Sequence, residues 1–310
     1  MKKERFWTAT PVIFLMTLIC CFLWGSAFPC VKIGYRLFRI ASGDSAGQLL
    51  FAGVRFTLAG LLVLLFGSLQ KRRVLLPDGK STGAILILAL FQTIGQYFFF
   101  YIGMAYTSGV KSSIIEASST FLAILIAALV FRYEKLTARK IIGCLIGFAG
   151  VLLILIPGSA IDFSMHWNGE GFILLSALMY SFSSSFIKRS SKREDPLVLS
   201  GCQFVIGGLV LAASGAALGG RLSGFTPASS LLLLYMALIS AVAYSLWSIL
   251  LKYNPVSRIA VFGFMNPVLG VILSALLLNE KNQAFSLYGL LSLVLVSAGI
   301  ITVNRSAGNR

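Results

Sequence analysis

Residues 55–60 read RFTLAG and residues 203–208 read QFVIGG, two similar apolar stretches that lie 148 positions apart. A second pair keeps the same order, because residues 131–135 read FRYEK and residues 277–281 read LLNEK, at an offset of 146. In the same way, residues 24–28 (WGSAF) fall over residues 180–184 (YSFSS). Matched segments in one order indicate an internal repeat, and a repeat is stronger evidence for architecture than any single motif.

The composition is typical of a protein that crosses a membrane many times. Hydrophobic residues make up 57% of the 310 residues, only 12% are charged, and the mean hydropathy is +0.89. A membrane span needs about 20 apolar residues. On that basis the sequence predicts ten helices, near residues 11–31, 49–69, 83–104, 108–131, 138–157, 169–188, 196–218, 229–250, 257–278 and 284–303.

Each copy of the repeat holds five of these apolar segments. Because five is odd, the second copy must enter the membrane in the opposite orientation. We therefore predict an all-α membrane protein with ten transmembrane helices, built as two inverted five-helix repeats over residues 1–157 and 158–310. Inverted repeats are the architecture of secondary transporters.

The positive charge is distributed unevenly between the loops. The net charge of +16 could suggest nucleic acid as a partner, but the basic residues form no stripe, so we expect no nucleic-acid binding. With a cytoplasmic N-terminus, only six of the 26 lysines and arginines fall outside and one, Arg55, lies within a helix, which leaves nineteen inside. This bias predicts that both termini are cytoplasmic and that loops 70–81 and 189–195 face inward.

Enzyme chemistry finds little support in the sequence. The four aspartates all fall in loops, so paired carboxylates within the membrane are not available for metal or diphosphate chemistry. The single histidine, His166, lies in a predicted external loop without a second histidine near it. We therefore expect no enzyme activity, no metal site and no cofactor.

Glu116 is the acidic residue that lies deepest in a predicted span. Ser112 precedes it by about one turn and Ser119 follows it by about one turn, so the three form a polar stripe on helix four. A charge within a membrane helix is costly and usually faces a polar cavity. Glu116 is therefore a candidate for proton coupling or for recognition of a substrate amine. The alternative is a position near the outer interface, paired with Lys111 or Arg55.

Several polar and aromatic side chains recur at helical spacing and indicate a cavity between the repeats. Trp24 and Phe28 share one face of helix one, and matching positions of helix six carry Tyr180 and Ser184. The other candidates for substrate binding are Gln92 and Gln96 in helix three, Ser112 beside Glu116, Tyr244 and Trp247 in helix eight, and Asn266 in helix nine. The alternative is core packing, with the two glutamines bonding neighbouring helices.

Three further features have structural interpretations. Arg55 is expected to snorkel from a helix start towards the interface, and the aromatic run at residues 97–101 is expected to face lipid or the core. Glu134 and Glu280 occupy equivalent helix ends, where the adjacent lysines suggest local ion pairs.

Taken together, the chain resembles the EamA-like family of the drug/metabolite transporter superfamily. The resemblance rests on the two five-helix halves, the WGSAFP stretch at residues 24–29, Arg55-Phe56 in helix two and the two glutamate helix ends. It implies a bacterial-type inner-membrane exporter of amino acids or similar small metabolites, with a cavity among helices one, three, four, six, eight and nine. The chain departs from the family pattern at Tyr133 and Asn279, which replace a frequent glycine, and Glu116 is not a general family feature.

The sequence thus predicts a carrier that exports or exchanges a small metabolite by alternating access in the lipid bilayer, with protons as a candidate coupling ion. The alternatives are a channel-like pore and a membrane scaffold that transports nothing. The oligomeric state stays open.

Overall fold

The computed structural model describes residues 2–132, 135–155, 166–191, 193–254, 259 and 261–305. Over these residues the chain is helical. The long helices are α1 (Thr10–Leu37), α2 (Ser45–Lys71), α3 (Thr82–Tyr106), α4 (Gly109–Val130), α5 (Ala138–Leu155), α6 (Trp167–Ser190), α7 (Pro196–Ala217), α8 (Pro227–Tyr253), α9 (Met265–Leu277) and α10 (Leu287–Arg305).

Shorter helical segments complete this description. The helices Lys2–Thr8 and Lys281–Ala284 and the 3₁₀ turns Gly79–Ser81 and Val261–Phe264 precede or connect the long helices. Three of the long helices contain π-helical turns, at Ala89–Gly95 in α3, Ile126–Val130 in α4 and Trp167–Gly171 in α6.

Seven of the described helices are long and apolar enough to cross a membrane, namely α1 to α4 and α6 to α8. This confirms a helical chain with many membrane-length segments. The full count of ten spans stays a prediction, because the described parts of α9 and α10 are shorter apolar helices and the predicted ninth segment begins at residues outside the described ones. The predicted boundary between the repeats, at residues 157 and 158, also lies outside them.

Two aspartates begin equivalent helices in the two halves. Asp44 accepts a hydrogen bond from the Gly47 backbone N–H at 2.8 Å and so caps α2. Asp195 accepts one from the Leu197 N–H at 3.0 Å and caps α7. A side-chain acceptor at this position satisfies a backbone N–H that has no partner within the helix. The aspartates predicted to lie in loops therefore set the starts of two helices.

The packing of the first half is repeated in the second. Helix α2 packs along α7, and α5 packs along α10. Helix α1 packs against α8 and α9, and α6 in the same way packs against α3 and α4. At the α2–α7 crossing the backbones approach so closely that a Cβ on Gly53 would meet the backbone of Ala212. Glycine is required here by the close approach of the two helices.

Glu280 connects two helices rather than pairing with the lysine beside it. Its carboxylate accepts hydrogen bonds from the backbone N–H groups of Gly109, at 3.2 Å, and Val110, at 2.9 Å, at the start of α4. It also lies 3.9 Å from the Lys32 ammonium group of α1. The expected local pair with Lys281 is thus replaced by a cap on a distant helix, since a carboxylate is favourable at a helix N-terminus. The equivalent Glu134 lies outside the described residues.

Asn279 has a left-handed backbone, with φ of 61°. Glycine adopts this conformation without strain, and asparagine is the next most tolerant residue. The resemblance implies a glycine at this position, and asparagine provides the same left-handed backbone geometry.

Candidate functional site

A cavity of about 120 Å³ lies among α1, α2, α3, α4, α6 and α8, next to the start of α9. A single water molecule needs about 10–15 Å³ of such space, so the cavity can hold several waters or a small metabolite and is smaller than a drug-sized cleft. The residues that line it are Cys21, Trp24, Ala27, Phe28, Arg55, Gln96, Tyr97, Phe100, Glu116, Ser119, Thr120, Tyr180, Tyr244, Trp247, Gly263 and Asn266.

The structure brings together most of the side chains that the sequence selected. Eight of them line the cavity: Trp24, Phe28, Gln96, Glu116, Tyr180, Tyr244, Trp247 and Asn266. They come from six helices or helix starts, remote from one another in the chain. The helical spacing therefore selected faces of these elements that line one cavity.

Three predicted site residues point elsewhere. Gln92 is buried and its side-chain carbonyl accepts a hydrogen bond from Gln203 Nε2 at 3.2 Å, which joins α3 to α7. Ser112 donates to the carbonyl of Ser108 at 2.8 Å, and Ser184 donates to the carbonyl of Tyr180 at 3.0 Å. These hydroxyls bond their own helices, a common alternative for serine within a helix.

Aromatic rings form much of the cavity wall. The ring of Trp24 lies edge-on to Tyr244, with centroids 5.3 Å apart, and edge-on to Trp247, at 5.1 Å. Phe28 packs on Phe100 at 5.7 Å. Edge-to-face contacts of this kind hold the rings in place. The wall can therefore cover apolar parts of a ligand and can present ring faces to a cation.

The aromatic run at residues 97–101 divides between cavity and core. Tyr97 lines the cavity, and its hydroxyl lies 2.7 Å from the hydroxyl of Tyr244 across the repeat interface. Tyr101 is fully buried and bonds Arg55, whereas Phe98 is 36% exposed on the outer side of the helix. The expectation of a lipid-facing or core role thus holds for part of the run and fails for Tyr97 and Phe100, which both line the cavity.

Glu116 faces the cavity from α4. Its Oε2 atom is buried and has no hydrogen-bond partner among the described residues. Ser176 of α6 is next to the carboxyl, and its hydroxyl is also unpartnered within the described part of the chain. The alternative of a pair with Lys111 or Arg55 is wrong: Lys111 lies 3.3 Å from Glu170, and Arg55 bonds neutral groups.

Arg55 is buried inside the molecule and does not snorkel. It is 2% exposed and lines the cavity about three turns into α2, which begins at Ser45, earlier than expected. Its guanidinium donates to the Tyr101 hydroxyl at 2.6 Å, the Met236 carbonyl at 3.0 Å and the Ser240 hydroxyl at 3.1 Å. All three acceptors are formally neutral, so the charge is solvated by dipoles from α3 and α8.

Four cavity residues carry buried polar atoms without a hydrogen-bond partner among the described residues. Three are acceptors, Gln96 Oε1, Glu116 Oε2 and Asn266 Oδ1, and one is a donor, Trp24 Nε1. A buried polar atom without a partner costs about 1–3 kcal/mol. Such atoms around one cavity indicate a place that receives a polar ligand or water.

Glu170 is a second buried carboxylate that sequence reasoning missed. It is 3% exposed at the start of α6, where it accepts hydrogen bonds from Thr107 Oγ1 at 2.8 Å and from the His166 N–H at 3.2 Å, and pairs with Lys111. At a predicted helix start Glu170 resembled an interfacial residue, and its side-chain partners Thr107 and Lys111 lie at the α3–α4 junction, remote in sequence. Because its partners satisfy it, Glu170 ties helices together away from the cavity.

The other lining residues missed as binding candidates are Arg55, Tyr97, Phe100, Cys21, Ala27, Ser119, Thr120 and Gly263. A signal existed for some of them. Phe100 follows Gln96 by one turn, and Ser119 and Thr120 follow Glu116 by about one turn, so they share faces with chosen residues. Among the described residues, no group of three or more His, Cys, Asp or Glu could hold a metal.

Comparisons with known proteins agree on one family. The model of the EamA-like transporter family matches residues 11–156 and 167–305. The chain is 28% identical to a WAT1-related chloroplastic protein of Arabidopsis thaliana, over 93% of this chain and 68% of the relative. It is 26% identical to the "Probable amino-acid metabolite efflux pump" of Escherichia coli, over 92% of each chain, and 26% identical to the uncharacterized transporter YvbV of Bacillus subtilis, over 90% of this chain and 88% of the relative.

A solved crystal structure shares the fold. It superposes with a TM-score of 0.69 over 97% of this chain and 100% of the other, at 19% sequence identity. At that identity the likeness extends to the fold alone. The membrane-length helices and the transporter relatives together establish a multi-pass membrane protein.

Proposed function

The chain belongs to the EamA-like transporter family of the drug/metabolite transporter superfamily, and from that premise we propose that it is a secondary transporter that exports or exchanges amino acids or related small metabolites by alternating access. The observation that carries this proposal is the cavity, which combines aromatic walls with four unpartnered polar atoms amid membrane-length helices. The residues that line it all come from helices and helix starts of a single chain.

The size and the chemistry of the cavity support a small amphipathic substrate. About 120 Å³ admits a metabolite of a few carbon atoms with polar groups. The resemblance to the Escherichia coli efflux pump supports amino-acid metabolites as the class to test first. We place the protein in a bacterial-type inner membrane with both termini in the cytoplasm, in line with the distribution of basic residues.

A carrier fits the site better than the two alternatives or an enzyme. A scaffold would gain nothing from a buried, unpartnered carboxyl, which costs stability. A channel needs a continuous path, whereas this cavity is a small space whose wall includes the buried rings of Phe28, Tyr97, Phe100 and Tyr244. An enzyme would need a reacting constellation, and the carboxyl of Glu116 has a serine and tyrosines as its neighbours. We therefore propose a non-enzymatic carrier, with Glu116 as the group that can accept a coupling proton.

Counterflow separates these functions. The purified full-length chain is placed in liposomes loaded with a mixture of unlabelled amino acids, and entry of trace labelled amino acids is followed. A carrier accumulates label transiently above equilibrium through exchange. A channel equilibrates label without accumulation, and a scaffold gives the rate of protein-free liposomes; either result would refute the proposal. Arg221→Gln, in an exposed loop, serves as the control variant.

A further inference from the structure

A guanidinium and a carboxyl group line the same small cavity, and neither has an ion-pair partner among the described residues. Arg55 enters it from α2 and Glu116 from α4. The ion pairs among the described residues are Lys32–Glu280, Lys71–Asp195 and Lys111–Glu170, so neither Arg55 nor Glu116 takes part in one. A buried charge without a partner is costly, and membrane proteins normally pair such groups with one another. Arg55 and Glu116 therefore line one cavity without forming an ion pair with each other.

The residues that line the cavity carry hydrogen-bond acceptors as well as donors. The unpartnered oxygens Gln96 Oε1, Asn266 Oδ1 and Glu116 Oε2 all belong to lining residues. An ammonium group has three N–H donors and no acceptor, so these three oxygens are the partners that it requires. The donors that line the cavity are the Arg55 guanidinium and the unpartnered Trp24 Nε1–H, and a carboxylate only accepts hydrogen bonds.

The hydroxyl pair of Tyr97 and Tyr244 lies within electrostatic range of both charges. Tyr97 interacts with Arg55 and with Glu116, and so does Tyr244. The two hydroxyls lie 2.7 Å apart and both residues are buried, so the pair is a neutral group close to Arg55 and to Glu116. Arg55 and Glu116 form no ion pair with each other in the described part of the chain.

From this arrangement we propose that the cavity selects small zwitterions: the ammonium group of the substrate binds at Glu116, Gln96 and Asn266, and its carboxylate binds at Arg55 and Trp24. The inference rests on the proposed function, and it names the substrate class and the two residues that discriminate it. Arginine suits this task because its guanidinium stays charged and presents several donors in one plane. Three of the five N–H donors are occupied by Tyr101, Met236 and Ser240, which leaves two for a ligand.

The same two residues also determine which compounds the cavity rejects. A substrate that lacks the ammonium group leaves the Glu116 carboxyl unpaired, and one that lacks the carboxylate leaves Arg55 unpaired. Sites built to hydrogen-bond a substrate group discriminate strongly against analogues without it. Simple amines and simple carboxylates of the same shape should therefore bind about tenfold to a hundredfold more weakly than the matching amino acid.

The test uses ligand-dependent stabilisation of the full-length chain in detergent, which reports binding without transport. The probes are alanine, valine and leucine, the matched amines ethylamine, isobutylamine and isoamylamine, and the matched carboxylates propionate, isovalerate and 4-methylpentanoate. At equal concentration, at least one amino acid should raise the apparent Tm more than both of its analogues. An amine or a carboxylate that stabilises as well as its amino acid would overturn the proposal, and so would a complete lack of response to all nine.

Two charge-removing variants assign the subsites. Arg55→Gln should remove most of the advantage of the amino acid over the amine, and Glu116→Gln should remove its advantage over the carboxylate. Arg221→Gln and Glu194→Gln, outside the cavity, are matched controls that should keep the ranking of wild type. Unchanged rankings in both cavity variants would refute the assignment.

Glutamine is tolerable at position 55, because the equivalent position in α7 is Gln203. If Arg55→Gln nevertheless fails to fold, Arg55→Lys is measured in its place. Lysine keeps the positive charge, so the variant should bind the amino acid more weakly and still prefer it to the matching amine and carboxylate.

Failure of this inference is distinct from failure of the proposed function. Counterflow of a substrate that is not zwitterionic would leave the carrier intact and refute the zwitterion site. Stabilisation by amino acids without counterflow would support the zwitterion site and refute the carrier.

Discussion

Arg55 and Gln203 show how one repeat position can serve two purposes. Gln203 of α7 accepts a hydrogen bond from Thr93 Oγ1 at 2.5 Å and donates to Gln92 Oε1, so it joins α7 to α3. Arg55 of α2 bonds Met236 and Ser240, which joins α2 to α8 in the equivalent way. The bridging role is therefore shared by both halves, and the charge is present in one half only. The helices of the two halves therefore pack in a similar way, whereas the cavity between them receives the charged side chain from the first half only.

Removal of one cavity ring should weaken ligand binding. Trp24→Ala and Tyr180→Ala each take away a ring that can cover a ligand or face a cation, an interaction of about 0.5–2 kcal/mol. We expect the affinity for a bound amino acid to fall about twofold to thirtyfold, as measured by titration calorimetry. Phe98→Ala is the control, because Phe98 is 36% exposed outside the cavity. Equal affinities in wild type, Trp24→Ala and Tyr180→Ala would move the binding site elsewhere.

Removal of the Glu116 carboxyl should change how transport depends on pH. The groups that face it are Ser176 and Tyr180 from α6, Tyr97 from α3 and Tyr244 from α8, with Arg55 in the same cavity. If Glu116 binds the coupling proton, Glu116→Gln should keep the fold and give a rate that is lower and no longer varies between pH 6 and 8, near neutrality, where tyrosine and arginine keep their protons.

The measurement is counterflow at several pH values, with Glu194→Gln as the control. A Glu116→Gln variant that transports at the rate of wild type, with the same pH profile, would show that the carboxyl is structural.

At the scale of the helices, close contact between glycine-lined faces fixes the frame around the cavity. A Cβ at Gly53 would meet backbone atoms of Ala212 and Gly208 across the α2–α7 crossing, and a Cβ at Gly208 would meet the backbone of Thr57. Backbone cannot rotate away as a side chain can. These positions therefore hold the two helices at a separation that only glycine permits, and Arg55 lies between Gly53 and Thr57 on the same helix.

Gly53→Ala should destabilise the protein by about 1–3 kcal/mol, the usual cost of overpacking. Gly83→Ala is a matched control in α3, because nothing lies within 4 Å of its added Cβ. Alanine favours a helix over glycine by about 1 kcal/mol, so the control should unfold at or slightly above the apparent Tm of wild type. Thermal unfolding in detergent tests both variants. An unchanged Tm for Gly53→Ala would mean that α2 and α7 are not in backbone contact.

The two glutamines of α3 illustrate the limit of periodicity. They are spaced at i and i+4, and the sequence left open whether they bond a neighbouring helix or line a cavity. Each alternative applies to one of them, because Gln92 bonds Gln203 and Gln96 lines the cavity. Positions one turn apart differ by about 5.4 Å along the axis. The small cavity reaches one of them and not the other, and its depth depends on the packing of helices remote in sequence.

At the scale of the whole molecule, the sequence predicts the frame better than the site. Apolar runs of membrane length mark seven of the described helices, since length and hydropathy are local properties. Burial of Arg55 could not be predicted, because its partners Tyr101, Met236 and Ser240 lie 46, 181 and 185 positions away. The cap of α4 by Glu280 depends on a contact across 170 positions. Such interactions follow from tertiary packing, and a local pattern does not contain them.

We predict the orientation of the whole molecule from the excess of lysine and arginine in one set of loops, and two exposed glycines offer a matched test of it. Gly43 lies between α1 and α2 and Gly79 between α2 and α3, with nothing within 4 Å of an added Cβ at either position. Cysteine is introduced at each in a background without Cys20, Cys21, Cys30, Cys144 and Cys202, which are all free thiols.

A membrane-impermeant maleimide added to intact cells should label Gly43→Cys and leave Gly79→Cys unlabelled until the cells are opened. The basic residues 71–73 favour a cytoplasmic position for the loop that holds Gly79. Position 192, in the other loop predicted to face inward, lies outside the described residues. Labelling of Gly79→Cys from outside intact cells would refute this topology.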